Sequence, residues 1–320
     1  MGGLPKYTPM LAVLGELPAK DEGWVFEMKW DGVRAVAYLE RGRRLLSRND
    51  KDITVAYPEL GGLAEAVGGP AVLDGEIVAF DKDGRPSFKA LQPRIHQRRP
   101  TRIQALANST PVTYMLFDVL HLGEEPLISC PYTERREILD GLGLSGPRWD
   151  TPPAHPGSGE EAFAESKRLG LEGIVAKRTD SPYRPGQRHR SWTKVKNFKS
   201  QEVVIVGWKS GEGRRAGTIG SLMLGIHDDT GRLVYVGSVG TGFTEEMLAD
   251  LAQRLRPLEQ AESPIQGEVP REDASGVHWV APQLVGEVSF AEWTGEGRLR
   301  HPSWRGLRAD KDPGEVVREE

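Results

Sequence analysis

Residues 27–34 read EMKWDGVR, and this stretch decides both the fold and the chemistry. It lies between two runs with the composition of β-strands, Trp24–Trp30 and Val33–Leu39. Lys29 is therefore expected at a strand end, with Gly32 making the turn. A lysine amine becomes a nucleophile when nearby cations or desolvation depress its pKa, and Arg34 is such a cation. The alternative interpretation is a hairpin with an exposed lysine and an Asp-Gly turn.

The rest of the first 200 residues alternates strand-like runs with helices. Helices are predicted from Thr133 to Leu142 and from Ser158 to Gly170, the second opened by a capping box of Ser158 and Glu161. The further strand predictions are Ala71–Phe80, Thr113–Leu122, Gly173–Lys177 and Trp192–Lys196.

After about Ser200 the pattern changes to short strands joined by glycine-rich turns. One helix is predicted there, capped by Thr244 and carrying its leucines on one face. Such a mixture suits a small β-barrel such as an OB-fold, and a sandwich fits nearly as well from pattern alone. The strand predictions are Val203–Trp208, Ser221–His227, Leu233–Val239, Val277–Val280 and Leu284–Trp293.

Composition places the chain among globular proteins with ordinary cores. It is 38% hydrophobic and 28% charged, and no run of about 18 apolar residues is present, so no membrane partner is expected. The beginning of the sequence lacks a signal-peptide pattern. A single cysteine, Cys130, excludes an internal disulfide and fits a reducing cytosol.

The charge distribution is more informative than the net charge of −4. Basic residues cluster in the stretches 84–117, 181–201 and 297–308, which contain no aspartate or glutamate. A chain polarised in this way is expected to bind a polyanion on one face, although most basic clusters are only solvated surface. The first stretch contains Arg85, Lys89, Arg94, Arg98, Arg99 and Arg102.

The ordered series of motifs identifies a family. Lys29-Trp30-Asp31-Gly32-Val33-Arg34 resembles the KxDGxR nucleotidyl-lysine motif shared by ATP-dependent DNA ligases, RNA ligases and capping enzymes. The later elements of that superfamily follow in the expected order. They are Ser47-Arg48-Asn49, Leu73-Asp74-Gly75-Glu76, Phe117-Asp118, the stretch EGIVAK at 172–177 and Lys194-Val195-Lys196.

The resemblance implies that Lys29 is the catalytic residue that takes up AMP, with ATP and Mg²⁺ as cofactors and Mn²⁺ as an alternative metal. Phe117 is expected to stack on the purine, and Glu76 to hold the ribose. Glu172 is the implied metal ligand, with Glu76 as a second. The other implied nucleotide and phosphate contacts are Glu27, Arg34, Arg48, Lys177, Lys194 and Lys196.

The last motif lies near the end of the chain. Residues 297–311, GRLRHPSWRGLRADK, resemble the end of DNA ligase OB domains. There Arg308, Asp310 and Lys311 are expected to reach the β- and γ-phosphates of ATP when that domain closes on the active site. The implied fold is α+β. An antiparallel-sheet-rich nucleotidyltransferase (adenylation) domain, residues 1–199, precedes a small OB-fold β-barrel domain, residues 200–320.

Within the family, the sequence is similar to the ligase module of bacterial non-homologous end-joining enzymes. The residues that carry this likeness are Pro9-Met10-Leu11-Ala12, the stretch FKALQ at 88–92 with Arg94, and the stretch GEGRRAG at 211–217. The resemblance implies that the partners are nicked or broken duplex DNA and a recruiting factor such as Ku, with the protein itself a monomer. It also implies a location in the bacterial cytoplasm, at the nucleoid. Because 28 residues precede Lys29, the N-terminal DNA-binding domain of larger ligases is expected to be missing.

Two other functions are compatible with parts of this pattern. An RNA ligase or a capping guanylyltransferase would use the same nucleotidyl-lysine. A non-catalytic OB-fold protein would bind nucleic acid without forming any AMP adduct. The element at 297–311 and the end-joining likeness favour a DNA ligase.

Overall fold

The computed structural model describes residues 3–95, 97–211 and 218–319. The chain divides into two compact units, Met1–Asn197 and Phe198–Glu320. Residues 212–217, which carry most of the GEGRRAG stretch, lie outside the described residues. None of the helices in the described ranges has the length and hydrophobicity needed to cross a lipid bilayer.

The first unit is built from two sheets and five helices among its described residues. Its strands are β1 Leu11–Leu14, β2 Trp24–Lys29, β3 Val33–Leu39, β4 Arg43–Ser47, β5 Ala71–Ala79, β6 Val112–Leu122, β7 Glu125–Pro126, β8 Trp149–Asp150, β9 His155–Pro156, β10 Gly173–Arg178 and β11 Arg188–Lys196. Its helices are α1 Leu63–Val67, α2 Phe88–Leu91, α3 Pro100–Ser109, α4 Tyr132–Gly141 and α5 Gly159–Arg168.

The chain passes from one sheet to the other at the turn after Lys29. One sheet has the order β1-β11-β10-β2-β9, and the other has the order β4-β3-β5-β6-β7 with β8 beside β6. β2 pairs with β10 and β9, whereas β3 pairs with β4 and β5. The hairpin interpretation of residues 27–34 is therefore wrong, because the two strands that flank the turn belong to different sheets.

The two sheets share a hydrophobic cluster. Val36, Tyr38 and Val72 of the β3–β5 sheet lie in one cluster with Tyr183 and with Trp192 of β11. The opposite face of the β3–β5 sheet carries the largest core of this unit, with Leu60, Leu63, Phe88 and Leu91 packed on it. On the other sheet, Phe26 and Ile174 pack with α5. Each sheet thus has a helical layer on its outer side and faces the other sheet across the inner cluster.

Gly32 is required at the crossing between the sheets. A Cβ atom at this position would lie 2.1 Å from the carbonyl oxygen of Ile77 in β5. Only glycine lets the turn approach β5 so closely, and this approach fixes the start of β3 beside β5.

The second unit is a largely antiparallel sheet with one long helix. Its core strands follow the order β14-β13-β12-β16-β19, and β15 pairs with β12. The buried leucines of α6, Leu248, Leu251 and Leu255, pack into the core of this sheet. The described elements are β12 Lys199–Ser210, β13 Ile219–His227, β14 Leu233–Val239, β15 Val277–Trp279, β16 Val285–Phe290, β17 Glu292–Trp293, β18 Leu299–Arg300, β19 Ser303–Leu307, α6 Glu245–Leu255 and α7 Arg271–Ala274.

The capping residues predicted from the sequence are confirmed. The Ser158 side chain accepts a hydrogen bond from the Glu161 amide at the start of α5, and Thr244 accepts one from Met247 at the start of α6. The strand predicted for Leu284–Trp293 is confirmed over β16, Val285–Phe290, but its end is wrong, because Glu292–Trp293 forms the separate short strand β17, which pairs with β18.

Candidate active site

Lys29 lies at the end of β2, where strand pairing brings two lysines onto one carboxylate. Gly173 of β10 stands opposite Lys29 on one side and Lys196 of β11 on the other. Glu172, the residue before Gly173, is buried, and its Oε2 accepts a hydrogen bond from Lys29 Nζ. Glu172 Oε1 lies 3.4 Å from Lys196 Nζ. A Cβ at residue 173 would lie 2.0 Å from the Val195 carbonyl oxygen, so glycine keeps the three strands close.

Arg34 is held by a buried aspartate from the neighbouring strand. Its Nε and one terminal nitrogen each donate to Asp74 at 2.6 Å. Asp74 also accepts from the Tyr183 hydroxyl at 2.6 Å, and that hydroxyl accepts from the Met10 amide at 2.8 Å. Burial lowers the pKa of Arg34. The attraction and hydrogen bonds of Asp74 raise this pKa by more than burial lowers it, so it lies above its usual value. Arg34 is a fixed cation in the region between the two sheets, which is called the cleft below.

Phe117 lies between cations that come from both sheets. The Arg34 guanidinium carbon is 4.5 Å from its ring centroid, and Lys177 Nζ is 4.7 Å from it. Trp192 of β11 meets the ring edge-on, with 6.2 Å between centroids. The ring that the motif series assigned to purine stacking is therefore in the cleft, together with Arg34 and Lys177.

Glu27 and Lys177 form a buried ion pair next to Phe117. Lys177 Nζ lies 2.7 Å from Glu27 Oε2 and donates to the Phe117 carbonyl at 3.3 Å. On its other oxygen, Glu27 accepts a hydrogen bond from the Tyr132 hydroxyl, and Arg136 Nη1 lies 3.7 Å away. Burial lowers the pKa of Lys177, although Glu27 acts to raise it.

The remaining predicted residues of the first unit occupy the same strands. Glu76 on β5 stands opposite Arg34 on β3. Lys194 lies two residues before Lys196 on β11, so both point to the same face. Arg48 directly follows β4. The structure thus places the predicted residues of this unit on the two sheets or next to their strands.

Arg308, Asp310 and Lys311 form a separate charged cluster in the second unit. Arg308 donates to both oxygens of Asp310, at 3.0 and 2.9 Å, and to Glu287 at 2.8 Å. Lys311 Nζ lies 2.5 Å from the carboxylate of Glu202. Burial raises the pKa of Asp310, but Arg308 lowers it more, so its pKa is well below the usual value.

One member of the first basic cluster was misassigned. Arg94 is 1% exposed and donates to Glu59, to the Ala56 carbonyl at 2.7 Å and to the Thr110 carbonyl at 2.9 Å. The interpretation of Arg94 as a surface cation for a polyanion is wrong, because its charge is neutralised inside the fold. Its neighbours Lys89, Arg98, Arg99 and Arg102 are exposed.

Sequence reasoning missed three residues that organise the cleft. Tyr132 and Arg136 lie on α4, about a hundred residues from Glu27, and no local pattern signals that contact. Tyr183 lies in the loop before β11, within the basic stretch 181–201. Asp74 lay inside a recognised motif, but its partner Arg34 is 40 residues away.

The donor set fits a nucleotide and a divalent metal. Cationic groups on both sheets suit phosphate, and a ring beside them suits a base. The described residues contain no group of three or more His, Cys, Asp or Glu side chains that could hold a metal. A magnesium ion bound by one or two carboxylates and by phosphate oxygens needs no such group.

The comparisons with known proteins agree with this geometry. A family model described as ATP dependent DNA ligase domain matches residues 9–196, and one described as ATP dependent DNA ligase C terminal region matches residues 215–311. The chain therefore belongs to the ATP-dependent DNA ligases. The expected α+β fold with a C-terminal OB-fold domain is confirmed.

The similar proteins include bacterial end-joining enzymes. The chain is 45% identical over 315 residues to the multifunctional non-homologous end joining DNA repair protein LigD of Mycobacterium tuberculosis, covering 98% of this chain and 40% of that protein. It is 38% identical to the LigD of Pseudomonas aeruginosa, covering 98% of this chain and 36% of that protein. The chain thus spans about two fifths of the length of these relatives.

Solved structures give the same family. A mycobacterial DNA ligase D complexed with ATP and MES is 43% identical, with a TM-score of 0.71 and 98% of both chains covered. The ligase domain of M. tuberculosis LigD is 44% identical, with a TM-score of 0.54 and the same coverage.

Proposed function

We propose that this protein seals breaks between a 5′-phosphate and a 3′-hydroxyl in duplex DNA through a lysyl-AMP intermediate on Lys29. The observation that carries the proposal is the convergence of Lys29 and Lys196 on the carboxylate of Glu172, beside a cleft that holds Phe117 and Arg34. A nucleophilic amine, further cations and an aromatic ring together suit transfer of a nucleotidyl group.

The first step joins AMP to the enzyme. The Lys29 amine attacks the α-phosphorus of ATP, a phosphorus–nitrogen bond forms, and the bond to the bridging oxygen breaks as pyrophosphate leaves. The amine must lose a proton, and the Glu172 carboxylate already accepts a hydrogen bond from Nζ. Lys194 and Lys196 stabilise the negative charge on the α-phosphate.

The next two steps move AMP to the DNA and then release it. The 5′-phosphate of the break attacks the AMP phosphorus, and Lys29 leaves as the amine. The 3′-hydroxyl then attacks the activated 5′-phosphate, forming the phosphodiester bond and releasing AMP. Positioning of the reactants supplies much of the rate enhancement in such transfers.

The nucleotide contacts are proposed from the motif series and from the cleft geometry. Phe117 stacks on the adenine, Glu27 contacts the nucleotide, and Glu76 holds the ribose. The phosphate contacts are Arg34, Arg48, Lys177, Lys194 and Lys196. We assign residues 1–199 to an adenylation domain and residues 200–320 to the OB-fold domain, whose Arg308, Asp310 and Lys311 contact the β- and γ-phosphates.

Glu172 and Glu76 would hold a magnesium ion, with manganese as an alternative. Such an ion neutralises charge on the phosphates during transfer. Glu172 would then exchange part of its contact with Lys29 for the metal.

The proposed biological setting is repair of double-strand breaks. The support is that the mycobacterial and Pseudomonas relatives are non-homologous end joining proteins. Exposed basic residues bind the phosphates of the DNA backbone; they include Arg98, Arg99 and Arg102. A recruiting partner of the Ku type is part of this proposal.

An intact-mass experiment tests the proposed function. After incubation with ATP and Mg²⁺, the wild-type protein is expected to gain the mass of one AMP, and Lys29→Ala is expected to gain none. Lys20→Ala is the matched control, because Lys20 is an exposed lysine of the same unit. A chase with nicked DNA should discharge the adduct, whereas discharge by nicked RNA alone would support an RNA ligase. Absence of the adduct on the wild-type protein would refute the proposal.

A further inference from the structure

The Glu27 carboxylate is held from two sides. Its Oε2 faces Lys177 on β10, at 2.7 Å. Its Oε1 faces α4, where it accepts the Tyr132 hydroxyl and lies 3.7 Å from Arg136 Nη1. Both sides are deeply buried, with Tyr132 at 1% and Lys177 at 1% exposure. A carboxylate held in this way has one orientation.

This carboxylate lies close to the ring assigned to the base. Lys177, its partner on β10, is 4.7 Å from the Phe117 ring centroid and donates to the Phe117 carbonyl. Lys177 is also 4.3 Å from the Trp192 ring. Glu27 therefore belongs to the base end of the cleft, whereas Lys29 and Glu172 belong to its phosphate end.

We propose that Tyr132 and Arg136 of α4 are positioning residues that orient Glu27 for recognition of the nucleotide base. This inference rests on the proposed function. The Tyr132 hydroxyl fixes one oxygen of the Glu27 carboxylate. The other oxygen then points toward Lys177 and the base. A preset acceptor lowers the conformational cost of binding the base and therefore strengthens ATP binding.

The chemistry of the two residues suits this role. Burial raises the pKa of Tyr132 well above its usual value, and Glu27 raises it further, so the phenol keeps its proton and remains a donor. Arg136 is itself anchored, because it donates to Asp140 at 2.8 Å and to the Pro152 carbonyl at 2.7 Å. Its terminal nitrogen Nη1 is buried and makes no hydrogen bond among the described residues, so its contact with Glu27 is electrostatic.

The choice of variant follows from the surroundings of α4. A cavity of about 500 Å³ is lined by Tyr132, Arg136, Val25 and neighbouring residues. In Tyr132→Ala the space left by the ring would join this cavity, and the packing around α4 would be disturbed. Tyr132→Phe removes only the hydroxyl and keeps the ring.

The test measures AMP-adduct formation at increasing ATP concentrations. Tyr132→Phe is expected to raise KM for ATP about tenfold and to leave the maximal rate of adduct formation within about twofold, since a hydrogen bond to a charged group contributes about that factor. Tyr114→Phe is the matched control. Its hydroxyl is also buried and donates to the Ala35 carbonyl at 2.7 Å, so it reports lost packing without contact to Glu27.

A double-mutant cycle separates positioning from general packing. In a Glu27→Gln background, Tyr132→Phe is expected to change KM no further, because the residue acts through the Glu27 carboxylate. If Tyr132→Phe fails to fold, Arg136→Lys replaces it in the same cycle, with a smaller rise in KM expected.

Three outcomes would overturn the inference. One is an unchanged KM in Tyr132→Phe, and another is an equal rise in KM with and without Glu27→Gln. Either result, with normal adduct formation by the wild type, leaves the proposed function intact. A wild type that forms no adduct refutes the proposed function and this inference with it.

Discussion

The connection between the two sheets depends on Gly32. A Cβ there would meet the Ile77 carbonyl oxygen at 2.1 Å and the Glu76 side chain at 3.1 Å. Ile77 lies inside β5, which is paired on both sides, so its backbone cannot move away. The clash would be relieved by moving the turn, and Lys29 would move with it.

Gly32→Ala is therefore expected to lower the free energy of unfolding by about 1–3 kcal/mol and to slow AMP-adduct formation strongly. Urea unfolding and intact-mass kinetics measure the two effects. Gly69→Ala is the matched control, because a Cβ at Gly69 meets nothing within 4 Å. A Gly32→Ala protein that forms the adduct at the wild-type rate would show that the turn does not position Lys29.

The motif series predicted which residues lie in the cleft, but not what holds them. Lys29, Arg34 and Phe117 could be chosen from the sequence because each lies in a short recognisable stretch. Asp74, the partner of Arg34, lies 40 residues away from it, and Tyr183, which donates to Asp74, lies another 109 residues along the chain, so only the folded sheets bring them together. Contacts of this kind leave no local signal in a single sequence.

At the scale of elements, the segment from α2 to α3 depends on a buried arginine. Arg94 joins this segment to Glu59, to the Ala56 carbonyl and to the Thr110 carbonyl. Its side chain also lies 5.3 Å from the Tyr57 ring centroid. Removal of one partner of such a buried pair leaves the other charge without compensation.

Arg94→Ala is expected to lower the free energy of unfolding by about 3–5 kcal/mol. The exposed Arg99, at the N-cap of α3, provides the contrast. Arg99→Ala is expected to change stability by less than about 0.5 kcal/mol. It should lower DNA affinity and reduce the slope of log K against log salt concentration by about one. Urea unfolding and salt-dependent DNA binding measure both variants. If Arg94→Ala is as stable as the wild type and has a reduced salt slope, Arg94 contacts DNA and is not needed for the stability of the fold.

Elements were predictable where the signal is local. β3 and β14 were placed at their observed bounds, and α5 and α6 were found through their capping residues. β1 gave no usable signal, because it has four residues and pairs in parallel with β11, over 170 residues further along the chain. α3 was missed because it begins without a side-chain cap or an acidic first turn.

At the scale of the whole molecule, basic stretches of sequence do not translate directly into basic surfaces. The stretch 297–308 contains no acidic residue, but the fold supplies carboxylates to it from elsewhere. Glu292 pairs with Arg300 at 2.6 Å, and Glu287 pairs with Arg305 and Arg308. The charge polarity of the sequence therefore overstates the free positive charge of the second unit.

The buried charges of that unit give its stability a pH dependence. The pKa of Asp310 is lower in the folded protein than in the unfolded chain, because Arg308 outweighs the effect of burial. Its contribution to stability is thus fully present above the unfolded pKa of about 3.9 and is lost as pH falls toward the folded pKa. The pKa of Glu202 is also lowered, because the attraction of Lys311 and Arg308 outweighs the effect of burial.

Asp310→Asn is accordingly expected to destabilise the second unit by about 3–5 kcal/mol at pH 7, since Arg308 then loses a buried counter-charge. Near pH 2 the difference between the variant and the wild type should be smaller, because Asp310 is then protonated in the unfolded chain and its ionised form stabilises the folded protein by less. Hydrogen exchange of β12, β16 and β19 at both pH values measures the effect in this unit. Asp229→Asn, a change at an exposed aspartate of the same unit, should leave exchange unchanged at either pH. An Asp310→Asn effect of equal size at pH 7 and pH 2 would show that shape, and not the charge of Asp310, stabilises the cluster.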